Sequence, residues 1–410
     1  MTEAISAEIK KKQDKLWTRD FIIMCCMNLF LFAGFYVMMP IFPLFIKSLG
    51  GNDAIAGFAA GSFSIATLLM RPFVGWILDH KGRKKIIFFG MAFLILIPFA
   101  YSVTALIALA IFLRILHGVG WALTNTSTNT AAYDFIPVSR FGEGVGIFQV
   151  TTTVALAIAP VVGLWLISQY GYPTTFAIAG FVAMICCVFL LLPHYKKVEN
   201  SGANIHLSRK NLFATLISKE SLPAAIVVMF VLFPYGATNT FVTIYAMASN
   251  MNNPGSFFIV MAVFSGMIRV VSGKWVDQHG EGASVILSTT FFAVSIFLLV
   301  YMNSHFIYLL AAAFFGSAFG LIVPALLSMA VRNVPPSRRG AATSTYYCAF
   351  DIGLGSGSAV AGLIANHFGY HAMFLSMLVP CVICLLVYWL WASKTPSAYK
   401  VYQKNQQLNS

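Results

Sequence analysis

The chain has 410 residues, a formal net charge of +13, 59% hydrophobic and only 10% charged residues. So little charge excludes a large soluble helical protein, whose outward faces must carry polar groups. The positive charge does not point to nucleic acid, because its placement follows a membrane topology.

Taken in order, the first 20 residues are polar and hold five Lys or Arg, with no short apolar core and no small-residue cleavage site. They read as a tail, and the first apolar run reads as the insertion signal. Twelve apolar runs follow, each long enough to cross a hydrocarbon core of about 30 Å as a helix. They fall at 21–46, 54–78, 85–105, 106–132, 143–169 and 173–193, then at 222–247, 255–278, 283–302, 304–332, 341–367 and 371–393. The expected fold class is all-α integral membrane, with twelve transmembrane helices in two pseudo-symmetric six-helix halves, 21–193 and 222–393. A polar, basic linker (194–221) separates them, and a tail (394–410) closes the chain. Within the linker, Leu207 to Ile217 reads either as a surface-lying amphipathic piece or as a solvated loop.

The halves share a register. Arg71, Gly75, Asp79 and Gly82 are answered 198 residues later by Arg269, Gly273, Asp277 and Gly280. Gly118 meets Gly316, Pro137 meets Pro335, Arg140 meets Arg338, Gly142 meets Gly340, and Gly171 with Phe176 meets Gly369 with Phe374. With ten Arg and seven Asp in the chain, repeated coincidence of this kind marks a duplication. An even number of spans per half makes the repeat parallel.

Of 26 Lys and Arg, 22 lie in the tails and in the loops 79–85, 134–142, 194–221, 274–282 and 332–340, all on one side. Lys47 alone lies opposite, while Arg71, Arg114 and Arg269 sit inside spans. This asymmetry predicts a multi-pass protein of the cell membrane with both termini cytoplasmic. The seven Cys all fall in apolar spans without metal-ligand spacing, so they read as inert thiols.

Gly75-Trp-Ile-Leu-Asp79-His-Lys-Gly82-Arg83-Lys84 resembles the loop 2–3 signature of the major facilitator superfamily. Arg114-Ile-Leu-His117-Gly118-Val-Gly120 is similar to its fourth-helix motif, with His where Gln is more usual. Ala159-Pro160-Val-Val-Gly163 is similar to the fifth-helix element of its proton-coupled antiporters, with Ala159 in place of Gly. The resemblance covers the whole chain and implies rocking of two halves around a central cavity.

The loop signature also has its own physics. Gly75 permits close helix approach, and Asp79, with Gly82 and Arg83 beyond it, ends helix 2 where a carboxylate opposes the helix dipole and needs a cation. Arg338 and Arg339 begin helix 11 in the other half. By symmetry Asp277 should meet Arg140. These pairs are expected to latch the cytoplasmic side and favour an outward-open state; the alternative is that they mark solvated loop ends.

Charges within spans cost a few kcal/mol unless paired or wetted. Asp351 is the one acid well inside a predicted span, about 18 Å along helix 11 from Arg339; Glu143 lies near an interface. Arg71, about 12 Å before Asp79, is within reach of Asp351. Such a pair is either a proton switch or a static structural pair. Arg114 and His117 share a face at i and i+3, which suits a proton relay, an anion-orienting site, or, for His117, simple packing.

Aromatic and neutral polar residues suggest a substrate cavity for a mixed apolar–polar molecule: Asn28, Phe35 and Tyr36 on helix 1, Gln149 and Thr153 on helix 5, Tyr235 and Asn239 (with Thr240) on helix 7, Tyr346 and Tyr347 on helix 11. Helix 1 holds no acid, against broad recognition of cationic drugs. No phosphate-binding Gly-x-x-x-x-Gly-Lys-Ser/Thr, no Ser-His-Asp spacing and no metal cluster is found, so neither enzymatic activity nor a cofactor is expected. The expectation is a monomeric, proton-coupled exporter of small organic molecules such as drugs or metabolites, driven by the proton gradient. The alternatives are a symporter or uniporter for uptake and, from another class, a membrane sensor or lipid-translocating protein.

Overall fold

The structure, a computed structural model, describes residues 15–81, 83–137, 140–195, 218–251, 253–332, 334, 339–395 and 398. Among these the chain forms ten α-helices and two short 3-10 turns. The first half contains α1 (Arg19–Ser48), α2 (Asp53–Lys81), α3 (Arg83–Ser102), α4 (Ile107–Tyr133) and α5 (Phe141–Leu191). The second contains α6 (Leu222–Ala248), α7 (Ser256–Val300), α8 (His305–Arg332), α9 (Arg339–Ser376) and α10 (Leu378–Leu390).

Local chemistry sets the ends. The Thr18 hydroxyl accepts from the Phe21 N–H at 3.2 Å, and Asp20 and Lys47 lie at the favourable ends of the α1 dipole. Asn52 caps α2 in the same way, accepting from Ile55 N–H at 2.9 Å.

Three helices are longer than any bilayer requires, and each breaks at a glycine. Gly171 in α5, Gly280 in α7 and Gly369 in α9 take φ of 74°, 76° and 80°, a region open to glycine at little cost. Counting each side of these breaks, and joining α10 to the end of α9 across Met377, gives twelve rods among the described residues. The predicted loop 274–282 is therefore corrected: helix α7 runs through it, interrupted at Gly280 alone, because one left-handed glycine reverses the chain without a longer turn. Gly171 and Gly369 are duplicates of each other, so the breaks belong to the repeat.

The rods bury one side and offer the other to lipid. Leu96, Val270 and Trp389 are 65%, 80% and 71% exposed, as an apolar solvent demands. The halves meet along two seams, α2 against α9 and α5 against α7, and α1 touches α6. Along the first seam a Cβ on Gly57 would lie 2.8 Å from the Gly362 Cα, and one on Gly61 2.7 Å from the Gly355 carbonyl. Small residues let the backbones touch. This close packing lies toward the membrane face opposite the termini.

Candidate functional site

Deeper along the same seam, α2 brings Arg71 against Asp351 of α9. The guanidinium Nε donates to Asp351 Oδ2, and Nη2 donates to Oδ1 at 3.3 Å. The side chains are only 13% and 7% exposed. The Tyr347 ring lies under the guanidinium, 5.2 Å from its centre. This two-pronged pair joins the halves inside the membrane, where its strength changes most with the charge on the carboxylate.

Arg114 is buried on α4 between the rings of Phe42 (4.4 Å) and Phe63 (4.7 Å). Its Nε and Nη1 and the His117 Nδ1 are buried without a hydrogen-bond partner, and the Tyr101 hydroxyl stands beside the guanidinium. His117 stands edge-on to Phe63 at 5.7 Å and lines a small cleft with Phe35, Pro98 and Trp121. Unsatisfied donors around a buried cation suit an anion or a chain of waters more than packing alone.

The aromatic residues assigned to the cavity form two groups. Phe35 stacks on Trp121 at 4.1 Å and touches Tyr36 at 5.2 Å; Trp121 is a member that its motif-like setting in helix 4 hid. Tyr235 stacks on Phe319 at 4.3 Å, and Tyr346 stands edge-on to Tyr347 at 5.4 Å. Tyr346 spends its hydroxyl on the Val323 carbonyl at 3.1 Å. Four polar candidates donate to neighbours of their own half, while the Oδ1 atoms of Asn28 and Asn239 stay buried without a partner. Asn28 is buried and donates to Thr151 (2.8 Å) and Thr152 (3.0 Å), so it ties α1 to α5 within one half. Asn239 donates to the Tyr235 carbonyl, Thr240 to the Gly236 carbonyl, and Thr153 to the Gln149 carbonyl. In an apolar medium such groups bond back to their own helix or half, and a composition-based reading does not see it. Gln149 stands beside the Tyr133 hydroxyl.

A site that the sequence did not disclose lies at the face opposite the termini. Lys47 donates to Asp53 Oδ1 at 2.8 Å and to the Tyr370 hydroxyl at 2.9 Å, and that hydroxyl bonds the Asp53 carboxylate at 2.9 Å. Lys47 and Asp53 belong to the first half and Tyr370 to the second, so this triangle bridges the halves. A partly exposed pair of this kind is worth about 1 kcal/mol or less. Tyr370→Phe should therefore widen spin-label distances across this face modestly, with a larger effect from Lys47→Ala; unchanged distributions in both would reduce the triangle to a loop-end contact.

Of the predicted cytoplasmic latch, Gly82 and Arg338 lie outside the described residues. The side chains of Asp79, Arg83, Glu143, Asp277 and Arg339, and the surroundings of Gly75, are likewise outside them; Arg140 stands at the N-cap position of α5 without a side-chain capping bond. The same end holds a buried pair that reading 274–282 as a loop concealed: Arg332 donates to Glu281 at 2.8 Å, with Glu281 1% exposed. It lies within the second half, between α8 and α7.

The sequence matches the Major Facilitator Superfamily over residues 24–281 and 255–407, which together span both halves. The chain belongs to that superfamily. It is therefore a membrane transporter rather than an enzyme, of a family that needs no cofactor. It is 26% identical over 408 residues to the multidrug resistance protein MdtG of Proteus mirabilis (strain HI4320), covering 94% of this chain and 98% of that one. An uncharacterized MFS-type transporter of Burkholderia mallei (strain SAVP1) is 28% identical over 82% of this chain and 83% of its own. The fold is similar to a mutant form of the nucleoside transporter NupG, with a TM-score of 0.78 at 14% identity over 91% of this chain and 99% of that one. It is also similar to a D-xylose-proton symporter, with a TM-score of 0.73 at 13% identity over 90% and 96% of the two chains. At such identities these structures speak for the fold alone.

Proposed function

We propose that the protein exports small organic molecules across the cell membrane in exchange for protons, by alternating access, with both termini cytoplasmic and as a monomer. The observation that carries this reading is the Arg71–Asp351 pair, which joins the halves inside the membrane. While Asp351 is ionised, the pair holds α2 to α9. A proton taken up by Asp351 removes the charge that Arg71 binds, and the seam loosens. His117 and Glu143 are proposed as the groups that take up and pass on protons, with the fixed charge of Arg114 assisting the coupling. Export rather than uptake is supported by the likeness to a multidrug resistance protein.

The two faces then close in turn. The Lys47–Asp53–Tyr370 triangle is proposed as the extracellular gate, and Asp79 with Arg338 or Arg339, together with Asp277 and Arg140, as the cytoplasmic one. Phe35, Tyr36, Tyr235, Tyr346 and Tyr347 are proposed to line the path between them, which suits a partly aromatic solute.

Asp351→Asn keeps the shape of the side chain but cannot take up and release a proton. In proteoliposomes with an imposed pH gradient, wild-type protein should concentrate substrate while Asp351→Asn does not, although it still exchanges substrate at equal concentrations. A mutant that responds to the gradient like wild type would overturn the coupling role.

A further inference from the structure

The two seams are related by the same shift of 198 residues, and they differ in the pair that carries charge. Adding 198 carries Gly57 to Gly255 and Leu164 to Gly362. The contacts follow: a Cβ on Gly57 would lie 2.8 Å from the Gly362 Cα, and one on Gly255 3.2 Å from Leu164 Cδ1. The same shift carries Arg71 to Arg269 and Thr153 to Asp351. In the α2–α9 seam these positions hold an ion pair. In the α5–α7 seam they hold the same arginine, with a threonine where the carboxylate would be. Thr153 does face α7: its Cγ2 lies 3.2 Å from a Cβ built on Gly266, one helical turn before Arg269.

Arg269 is accordingly half of a pair. Its guanidinium lies 5.8 Å from the centre of the Phe319 ring. Among the described residues it makes no side-chain hydrogen bond and has no carboxylate partner. Around it stand tyrosines of both halves, Tyr36 on α1, Tyr235 on α6, and Tyr346 and Tyr347 on α9, all close enough to feel its charge. Tyr235 lies flat on the same Phe319 ring. A guanidinium in a membrane interior needs a partner, and a planar five-donor group selects a carboxylate that accepts from two N–H groups at once.

We propose that Arg269 docks the carboxylate of an organic anion, which takes in the second seam the place that Asp351 holds in the first. The aromatic or apolar body of that solute lies against Tyr36, Tyr235 and Phe319. This rests on the reading of the protein as a solute transporter and names the substrate class. Because one seam is closed by a built-in carboxylate and the other by a solute's, an anion bridging α5 and α7 restores the symmetry of the closed state.

Three probes of equal shape test it on the purified full chain, in detergent and without a pH gradient: naphthalene-1-carboxylate, its neutral carboxamide and 1-naphthylmethylammonium. Equilibrium dialysis should show the carboxylate bound at least about tenfold tighter than the other two. Arg269→Gln should remove that preference and Arg269→Lys retain part of it. Thr153→Asp should remove it too, by supplying the missing carboxylate from the chain itself. If Arg269→Gln elutes as aggregate, the wild-type preference and Thr153→Asp decide. Equal binding of all three probes, tighter binding of the ammonium, no binding of the carboxylate up to millimolar concentration, or an unaltered preference in Thr153→Asp would overturn the proposal. The assay reads binding alone, with no pH gradient and no flux, so failure of the coupling role leaves this result intact.

Discussion

A leucine in place of Gly57 is expected to abolish transport without preventing folding. A Cβ there would stand 2.5 Å from the Ser358 carbonyl and 2.8 Å from the Gly362 Cα. These are backbone atoms of the other half, so no change of rotamer makes room and the α2–α9 seam must part. Overpacking of this kind costs about 1–3 kcal/mol where neighbours can shift, and the cost falls on one arrangement of the halves. A bias of about 3 kcal/mol shifts the balance roughly 150-fold, which removes the state closed at this face from the cycle. Cysteine pairs placed across the face should cross-link in wild type and fail to do so in Gly57→Leu, with flux lost in parallel. Gly34→Ala serves as control, because nothing lies within 4 Å of a Cβ there. Wild-type flux in Gly57→Leu would show that this contact is not part of the transport cycle.

The second large effect concerns the pair inside the membrane. Arg71→Ala or Asp351→Ala alone leaves one buried charge without its partner, at a cost of about 3–5 kcal/mol. The double substitution removes both charges and should cost less than the sum of the two, by about 1–3 kcal/mol in the coupling energy of the cycle. Thermal unfolding of the four proteins in detergent, with bound lipid matched, measures this. Additive losses would mean that the two side chains are neighbours without a mutual interaction. All three variants should be deaf to a pH gradient, so stability and coupling are read from one set of proteins.

What the sequence disclosed depended on how rare each signal is in this medium. Charged residues are so few within the spans that Arg71 and Asp351 stood out, and spacing along two helices placed them within reach. The duplication located the seams in advance, since it repeats Gly75 and Asp79 as Gly273 and Asp277. Neutral polar residues carried no such information. Asn28 reads as a cavity residue, and its amide N–H groups go to Thr151 and Thr152 while its Oδ1 has no partner. Any side-chain amide in an apolar setting seeks a bond, and a linear pattern does not tell whether a solute or a neighbouring helix provides it. Tyr370 was one of sixteen tyrosines until the fold placed it beside Lys47 and Asp53, 323 and 317 residues away in sequence. Glu281 was assigned to a loop because Gly280 and its charged surroundings resemble one. A single left-handed glycine between two helices leaves the same trace as a longer connection.

The glycine-lined seam also bears on how fast the halves exchange. Gly57, Gly61, Gly355 and Gly362 present bare backbone, so parting these surfaces requires no side chain to leave a preferred rotamer. The loss of contact grows smoothly with separation, with no interlocked knob that must first be freed. What resists parting along this seam is then its polar contacts, Arg71 with Asp351 in the interior and Asp53 with Tyr370 at the face opposite the termini. On the proton-exchange reading proposed above, such a carrier turns over with a shallow dependence on temperature and a steep one on the acidity of the side from which its protons come.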